Sequence, residues 1–233
     1  MKNNLSIRLN AVANLIKNNK IVADIGTDHA SLPIFLVKEG RCNKVYAADI
    51  NVGPLESAKK NISDANLTEK IETILSDGLK NVPHDAEEIS IAGMGGKLIA
   101  EIIDAAPFTK SQKVGLILQP MSNASFLRRY LYENGYYIVK EIAFEDAGHL
   151  YSAFRAEYNG ECTSPTEVEC RVGKLTNNFG EFECKYLQRE IGKCNKKIDG
   201  LKKSSKENEE IDEIKVEEDI KKEIENILRS REK

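Results

Sequence analysis

Residues 20–26 read KIVADIG, a short apolar run that ends at an acid and a glycine. Such a run is typical of a strand in a parallel sheet, because helices cover both faces of that sheet and leave it no polar side. Four comparable runs follow, at residues 44–50, 71–75, 88–92 and 113–119. The sequence therefore predicts five strands of one parallel sheet.

Helical segments separate these runs. Residues 31–39, 54–65, 97–106 and 122–134 carry apolar residues at helical spacing, and an amphipathic segment at residues 5–16 precedes the first strand. Strands that alternate with helices predict a parallel sheet with helices packed on both of its faces.

The pattern changes after residue 135. Residues 136–144 and 150–158 are rich in β-forming residues, and residues 146–148, Asp-Ala-Gly, lie between them. This arrangement predicts an antiparallel hairpin. A parallel sheet closed by such a hairpin is usual in methyltransferases of the Rossmann-like class, whereas NAD-dependent Rossmann domains normally end in parallel strands. We therefore predict an α/β fold with a Rossmann-like class I methyltransferase sheet.

A helical coiled-coil hairpin is predicted for the C-terminal part. Residues 160–165 interrupt the pattern, and two apolar stripes with spacings of three and four follow, as in the heptads of a coiled coil. The stripes are Leu187, Ile191, Cys194, Ile198 and Leu201, and then Val216, Ile220, Ile224 and Ile227. A turn over residues 204–208 would join the two helices. The predicted domains are residues 1–160, built on the sheet, and residues 161–233, the hairpin.

The two arms of this hairpin carry opposite charge. Residues 185–206 contain eight Lys or Arg and two acids, whereas residues 207–225 contain ten acids and three Lys. The sequence favours attraction between the arms, since charge runs on helices usually form paired or solvated faces. The alternative is a basic arm that contacts nucleic acid, with Lys196 and Lys197 among its residues.

The bulk composition is that of a soluble protein. The chain has 233 residues, 41% of them hydrophobic, and no run approaches the roughly 18 apolar residues of a membrane span. The polar start is unlike a signal peptide, so we expect a cytoplasmic monomer with no membrane partner. The five cysteines lack the C-x-x-C spacing of a zinc site, which predicts reduced, packed thiols and no bound metal. A net charge of −3 argues against non-specific nucleic-acid binding.

An acidic motif ends the first strand. Residues 24–29 read DIGTDH and lack the G-x-G-x-x-G fingerprint of dinucleotide-binding loops. Asp24 and Asp28 suit a cationic ligand, and Gly26 permits close approach of a ligand to the backbone. These features favour S-adenosylmethionine, whose sulfur and ammonium group are positive, over NAD. The alternative for Asp28 and His29 is capping of the helix that follows.

Two further acids follow neighbouring strands. Asp49 ends the second strand, 25 residues after Asp24, where an acid typically accepts hydrogen bonds from ribose hydroxyls. An ordinary aspartate at a loop edge is the alternative. Asp77 follows the third strand within residues 76–78, Ser-Asp-Gly, and could reach an adenine amino group. An Asp-Gly turn is the alternative there.

Glycines cluster after the fourth strand, where residues 91–96 read IAGMGG. Ligands bind outside the carboxyl ends of parallel strands. The cluster therefore favours close approach of the backbone to a cofactor or to a base removed from its stack, with a flexible turn as the alternative. Gln119, Pro120 and Met121 end the fifth strand and would line the same crevice.

Four stretches together resemble the bacterial tRNA (adenine-22-N1)-methyltransferase family, usually called TrmK. They are residues 5–9 (LSIRL), 23–30 (ADIGTDHA), 91–96 (IAGMGG) and 116–121 (LILQPM). The DIGTDHA and AGMGG motifs, in this order, are far more specific together than either is alone. Members of the family also carry a C-terminal coiled-coil hairpin. The resemblance implies transfer of a methyl group from S-adenosylmethionine to N1 of one adenine in tRNA.

The resemblance, the strand-end motifs and the charge of the basic arm together predict roles for individual residues. Residues 1–160 would be the catalytic domain that binds S-adenosylmethionine, with Asp28 and His29 as catalytic residues. The cofactor would be held by Asp24, Gly26, Thr27, Asp28, Asp49, Ile50, Asp77, Gly78, Ala92, Gly93 and Met94. The tRNA would be contacted by Arg8, Gly95, Gly96, Gln119, Pro120, Lys196 and Lys197.

Two other functions stay open at this point. A methyltransferase for a small molecule or a protein predicts no tRNA binding. A non-catalytic tRNA-binding protein predicts RNA binding without methyl transfer.

Overall fold

The computed structural model describes residues 5–177, 180–204 and 208–230. Its strands are β1 (Ile21–Ile25), β2 (Lys44–Asp49), β3 (Ile71–Leu75), β4 (Glu88–Gly95), β5 (Gly115–Ser122), β6 (Tyr136–Asp146) and β7 (His149–Tyr158). They form one sheet in the order β3-β2-β1-β4-β5-β7-β6. β1 to β5 pair in parallel, and β7 runs antiparallel between β5 and β6. The predicted parallel sheet and its terminal hairpin are both confirmed.

Helices cover both faces of this sheet, as predicted. The helices are α1 (Ile7–Ala13), α2 (Ser31–Lys38), α3 (Val52–Asp64), α4 (Gly96–Asp104), α5 (Ala124–Glu133), α6 (Glu167–Val172), α7 (Glu181–Ser204) and α8 (Asn208–Arg229), and the first five of them cover the sheet. Successive strand residues point to opposite faces, so the sheet has two hydrophobic cores. α4 and α5 pack with Ala23 and Ile91 on one face, and α1 to α3 pack with Val22 and Ile117 on the other. No helix in the described ranges is long and apolar enough to cross a membrane.

β4 and β5 extend into the segments that the sequence analysis placed after them. β4 runs to Gly95 and β5 to Ser122, beyond the predicted ends at residues 92 and 119. The glycine-rich segment is therefore part of β4 and not a turn after it. The strand continues because β5 runs alongside it, although the pairing is irregular on both sides of Met94.

α7 and α8 form the predicted hairpin. The apolar stripe predicted in α7 is buried or half-buried. In α8 the prediction is wrong at one position, because Val216 is 52% exposed and Glu217 is buried in its place. Positions 217, 220, 224 and 227 keep the spacing of three and four, so the charge of Glu217 concealed the true seam. Within the turn predicted over residues 204–208, residues 205–207 lie outside the described part of the chain.

Cations compensate the buried charge of Glu217. Arg171 of α6 donates to both carboxylate oxygens, at 2.8 and 2.6 Å, and Lys197 of α7 lies 3.0 Å from Oε1. Burial alone would raise the pKa of Glu217, but these cations lower it to about 2. Lys202 and Glu218 form a second pair between the arms, at 3.0 Å. Attraction between the arms therefore operates at these contacts.

A third hydrophobic core joins the hairpin to the sheet. Val172 of α6, Leu187 of α7 and Ile224 of α8 pack with Ala143 of β6. Glu183 of α7 also accepts a hydrogen bond from the backbone N–H of Ala143 at 2.9 Å. The hairpin is thus fixed against the edge strand of the sheet. The division into domains at residue 160 stays a prediction.

Arg128 of α5 lies at the centre of this junction and is fully buried. Its guanidinium is 2.6 Å from Glu141 of β6 and donates to the Ser152 hydroxyl of β7 at 3.0 Å. It also donates to the carbonyl oxygens of Cys170 and Arg171 in α6, at 2.8 and 3.0 Å. Burial would lower the pKa of Arg128, but the Glu141 carboxylate more than offsets this effect, so the guanidinium stays charged.

Gly173 makes room for this pair. A Cβ at this position would collide with Glu141 and Arg128, and the φ of +55° lies in the region that favours glycine. The N–H of Lys174 can then donate to the second Glu141 oxygen at 2.9 Å. A single ion pair thereby connects α5, β6, β7 and the segment that leads into the hairpin.

Replacement of Arg128 by Met should lower the free energy of unfolding by about 3–5 kcal/mol, since it leaves Glu141 charged and buried without a partner. Urea unfolding followed by circular dichroism measures the change. Arg129→Met is the matched control, because Arg129 is the next residue and its ion pair with Glu167 is exposed. The control should lose at most about 1 kcal/mol. Equal losses in the two variants would contradict the assigned role of Arg128.

Candidate active site

The strand order reverses beside β1. The chain proceeds from β1 outward to β2 and β3, and then places β4 on the other side of β1. In open α/β sheets, ligands bind at such a reversal, outside the carboxyl ends of the strands. Asp24 and Asp49 lie near the ends of β1 and β2, Asp77 follows β3, and residues 92–95 end β4. The fold therefore brings the predicted motifs to one crevice.

Asp24 is buried beside this crevice without an ion pair in the described part of the chain. Its neighbours in register are Ala47 on β2 and Ser90 on β4. Burial raises the pKa of Asp24 to about 6, the Thr27 and Ser90 hydroxyls oppose this shift, and the charge of Asp49 adds to it. A buried carboxyl group that lacks a counter-ion suits a cationic ligand.

Three buried polar atoms have no hydrogen-bond partner among the described residues. They are the hydroxyl oxygens of Thr27 and Ser90 and Nε of Arg8. Both hydroxyls approach Asp24 without the geometry of a hydrogen bond, so we treat them as polar neighbours of the carboxyl group and not as its partners. Buried polar groups are nearly always satisfied in folded proteins. These unsatisfied groups fit a polar and cationic cofactor such as S-adenosylmethionine.

Gly26 shapes the loop after β1. Its φ is +74°, and a Cβ there would collide with the methyl group of Met94 on β4. The N–H groups of Gly26 and Thr27 both donate to the carbonyl oxygen of Ala48, at 2.8 and 2.9 Å. The loop is therefore held close to β2 and packs against the glycine-rich end of β4.

Asp49 and Ile50 lie on the open side of the crevice. One Asp49 oxygen accepts a hydrogen bond from the N–H of Asn51 at 2.7 Å, which orients the side chain and leaves its other oxygen available. Ile50 is 60% exposed. An apolar side chain beside an available carboxylate suits a ribose and its attached base.

Asp77 and Gly78 form the turn after β3. Asp77 is exposed and pairs with Lys80 at 2.5 Å. The Ser76 hydroxyl donates to the Gly78 carbonyl at 2.9 Å and accepts from the N–H of Asn81 at 3.0 Å. These contacts support the turn alternative for this segment, and the contact of Asp77 with adenine stays a prediction.

Asp28 and His29 follow the loop, and their side chains are 82% and 58% exposed. His29 Nε2 lies 3.1 Å from Asp28 Oδ1. Neither residue caps α2, whose N-cap is Ala30 and has no side-chain hydrogen bond, so the capping alternative is wrong. His29 and Ala30 both have left-handed backbone, with φ of 57° and 55°. Such strain in residues other than glycine clusters at functional sites.

Gln119 supports the end of β4 and is fully buried. Its Oε1 accepts a hydrogen bond from the N–H of Gly93 at 3.0 Å, and its Nε2 donates to the carbonyl of Pro120 at 3.2 Å. The Gln119 side chain is thus enclosed beneath the glycine-rich segment and does not face the crevice opening. Ala92 and Met94 flank Gly93 and are half-buried.

The starts of α4 and α5 adjoin each other beyond the strand ends. Gly95 ends β4 and Gly96 begins α4, where a Cβ would lie 2.5 Å from the carbonyl oxygen of Asn123. Lys97 Nζ lies 5.7 Å from the ring centre of Phe126, which is 44% exposed. Sequence reasoning missed this exposed lysine–aromatic pair, since nothing in the amphipathic pattern distinguishes Phe126 from a core residue.

A basic groove lies between the sheet and the hairpin. It has a volume of about 280 Å³ and is lined by Met121 and Ser122 of β5 and by Arg189 and Lys193 of α7. Pro120 and Glu190 line the same groove, and the buried Glu190 carboxylate pairs with Arg189 at 3.0 Å and with Lys193 at 2.8 Å. Sequence reasoning missed Arg189 and Lys193, although their spacing from Lys196 was available as a signal.

Four residues of α7 form what we call the outer basic stripe: Arg189, Lys193, Lys196 and Lys203. Their spacings of four, three and seven place them on one helix face, away from the buried seam. Lys196 and Lys203 are exposed and form no ion pair within the described ranges. Lys197 lies off this stripe and pairs with Glu217.

Asp24→Asn should raise the unfolding free energy of the ligand-free protein at pH 8 by about 2–3 kcal/mol. The folded pKa of Asp24, about 6, exceeds its ordinary value of 3.8. The carboxyl group therefore contributes its full stability below pH 4 and loses it as the pH rises through 6. Urea unfolding at pH 8 and pH 5 should show a smaller advantage of the variant at pH 5. Asp64→Asn, at the exposed end of α3, is the control, and an equal effect there would contradict this account.

The chain is similar to known methyltransferases in its sequence. A methyltransferase domain family matches residues 5–154. The tRNA (adenine(22)-N(1))-methyltransferase of Bacillus subtilis is 36% identical over 176 residues, which cover 75% of this chain and 74% of that protein.

Solved structures agree with this similarity. TrmK of M. capricolum, in complex with S-adenosyl-homocysteine, is 33% identical with a TM-score of 0.79 over 96% of this chain and 99% of that one. A Streptococcus pneumoniae protein in complex with S-adenosyl-L-methionine is 31% identical with a TM-score of 0.77 over 97% of this chain and all of that one. The sequence motifs, the fold and these matches agree, and the chain belongs to the tRNA (adenine-22-N1)-methyltransferase family.

Proposed function

We propose that this chain transfers the methyl group of S-adenosylmethionine to N1 of the adenine at position 22 of tRNA. The observation that carries the proposal is that two features occur together in one chain of this family. Acidic residues lie at the strand reversal, and the outer basic stripe starts beside the end of β5. Because tRNA is the proposed substrate, we also propose a cytoplasmic location.

The chain's own residues would bind and orient the cofactor. Bound S-adenosylmethionine supplies a methyl group on a positively charged sulfur. Asp24 offers a buried negative charge to the cationic part of this ligand, and the available oxygen of Asp49 suits a ribose hydroxyl. Ile50 offers an apolar surface to the adenine ring. These contacts act by positioning, which accounts for much of the acceleration of a two-substrate reaction.

The acceptor base makes modest chemical demands. N1 of neutral adenine carries a lone pair, so no residue has to remove a proton before the new bond forms. The base then gains positive charge, which a nearby carboxylate stabilises. Asp28 is our candidate for this role, since its carboxylate is exposed, and His29 at 3.1 Å would orient it.

The RNA has to present its base outside the stack. Exposed aromatic rings commonly stack on unpaired bases, and Phe126 with Lys97 offers such a surface beyond the ends of β4 and β5. In the outer basic stripe, Lys196 and Lys203 form no ion pair within the described residues and offer positive charge to the neighbouring phosphates, whereas Arg189 and Lys193 share Glu190. Phosphate contacts of this kind supply most of the sequence-independent affinity for nucleic acid.

Incubation of the purified chain with unmodified tRNA and methyl-labelled S-adenosylmethionine tests the proposal. We expect label in 1-methyladenosine, identified by mass spectrometry, and none when the adenine at position 22 is replaced. Asp28→Ala should reduce turnover by about 100-fold while cofactor binding changes much less, because the carboxylate acts mainly on charge that develops during the reaction.

Two outcomes would contradict these expectations. Cofactor binding without transfer to any tRNA would overturn the proposal. If the chain bound tRNA, this result would favour a non-catalytic tRNA-binding protein, and if it did not, a methyltransferase with another acceptor. Equal losses of turnover and of cofactor affinity in Asp28→Ala would make Asp28 a binding residue only.

The double variant Lys196→Glu with Lys203→Glu should weaken tRNA binding by about 10-fold or more and reduce its salt dependence. Both side chains are exposed without an ion pair in the part of α7 that the structure describes, so the hairpin should keep its stability. Binding is measured by fluorescence anisotropy at several salt concentrations. Lys215→Glu with Lys222→Glu, on α8 with the same spacing and charge change, is the control. If both double variants lose the same affinity, the stripe is not the contact surface.

A further inference from the structure

Arg8 is a charged residue whose contacts within the chain leave it unsatisfied. It lies in the first turn of α1 and is half-buried. Its Nε is shielded from solvent and has no hydrogen-bond partner among the described residues. Nη1 lies 3.7 Å from the sulfur of Met121, which is a weak acceptor, and 3.5 Å from where a Cβ of Gly93 would be.

The charge and the hydrogen-bond donors of Arg8 determine which kind of ligand it can bind. A guanidinium in this position needs acceptor atoms, and anions satisfy it best because charge-assisted hydrogen bonds are the strong ones. No carboxylate in the described part of the chain forms an ion pair with Arg8. A bound anion would supply the acceptor that the described residues do not provide.

The acceptor base is a poor partner for this cation. Adenine becomes positively charged when N1 is methylated, so a guanidinium beside it would disfavour the reaction. The resemblance implies a contact between Arg8 and the tRNA. The acceptor base is an unsuitable partner for such a contact, so Arg8 suits a different, negatively charged group. The crevice beside Gly93 is also where the proposed cofactor would lie.

Asp24 and Arg8 offer opposite charges near the carboxyl end of β4, and an amino acid carries both complementary charges. Asp24 is in register with Ser90, and Gly93, beneath Arg8, is three residues further along β4. Three residues correspond to about 10 Å between backbone positions along the strand, and the Arg8 guanidinium lies at the Gly93 end of this distance. An ammonium group beside Asp24 would leave its carboxylate facing Arg8.

We propose that Arg8 binds the carboxylate of the methionine part of S-adenosylmethionine, and thereby positions the cofactor rather than the base. This assignment rests on the proposed function. The shielding of Nε favours an enclosed ligand over a solvated RNA phosphate. Removal of the guanidinium should therefore affect cofactor affinity first.

A comparison of two ligands with two forms of the chain tests this assignment. The ligands are S-adenosyl-homocysteine and its decarboxylated analogue, and the proteins are the wild-type chain and Arg8→Met. Calorimetry should show that the wild-type chain binds S-adenosyl-homocysteine about 10- to 100-fold more tightly than the analogue. Arg8→Met should bind both ligands with similar, weak affinity, and Arg8→Lys should recover part of the difference.

Several results would overturn the assignment. They are equal binding of the two ligands by the wild-type chain, and equal losses for both ligands in Arg8→Met. Unchanged cofactor affinity with a raised KM for tRNA would place Arg8 on an RNA phosphate instead. Failure of the wild-type chain to bind either ligand would overturn the proposed function together with this inference. Arg229→Met, at the exposed end of α8, should leave the affinity for S-adenosyl-homocysteine unchanged.

Discussion

The buried ion pair of Arg128 and Glu141 is the contact on which the arrangement of sheet and hairpin depends. It connects α5, β6 and the carbonyl groups at the end of α6, within a region that excludes water. A buried charge without its partner is strongly destabilising. The pair therefore allows few alternatives to the observed docking, and through this docking it also fixes the groove beside β5.

The sequence was sufficient to predict the order of strands and helices from α1 to β7 and the two long C-terminal helices, because that order follows from local periodicity, but the short α6 was not predicted. It also predicted the hairpin in residues 136–158. The extension of β4 through its glycines could not be predicted, since it depends on the neighbouring β5. Glu217 was missed for a similar reason, because the cations that permit its burial come from α6 and α7.

The sequence predicted the positions of the acids in the candidate site, but not their burial or their contacts. The acids at the strand ends were found because parallel strands place their carboxyl ends at one edge. Burial of Asp24 and the unsatisfied atoms of Thr27 and Ser90 were not, since each depends on residues distant in the sequence. Gln119 could be placed near the crevice, but its enclosure beneath Gly93 is a property of the packed strands.

Asp24 and Arg8 carry opposite charges, and each would be satisfied by a ligand group of the other sign. The first is a carboxyl group without a counter-ion, and the second is a cation without an acceptor. Both cost stability in the free protein, and both would be compensated by one zwitterionic ligand. The free protein thus has stability to gain from binding, which is a property common at active sites.

The buried Glu217 also has a geometric consequence. A polar residue in a coiled-coil seam specifies one alignment of the two helices, and Arg171 ties that alignment to α6 outside the hairpin. α7 is consequently prevented from sliding along its own axis relative to the groove. Arg189 and Lys203 are fourteen residues apart, or about 21 Å at the rise of an α-helix. The proposed RNA-binding stripe therefore has a fixed length and position, which suits two phosphates about 21 Å apart on one RNA.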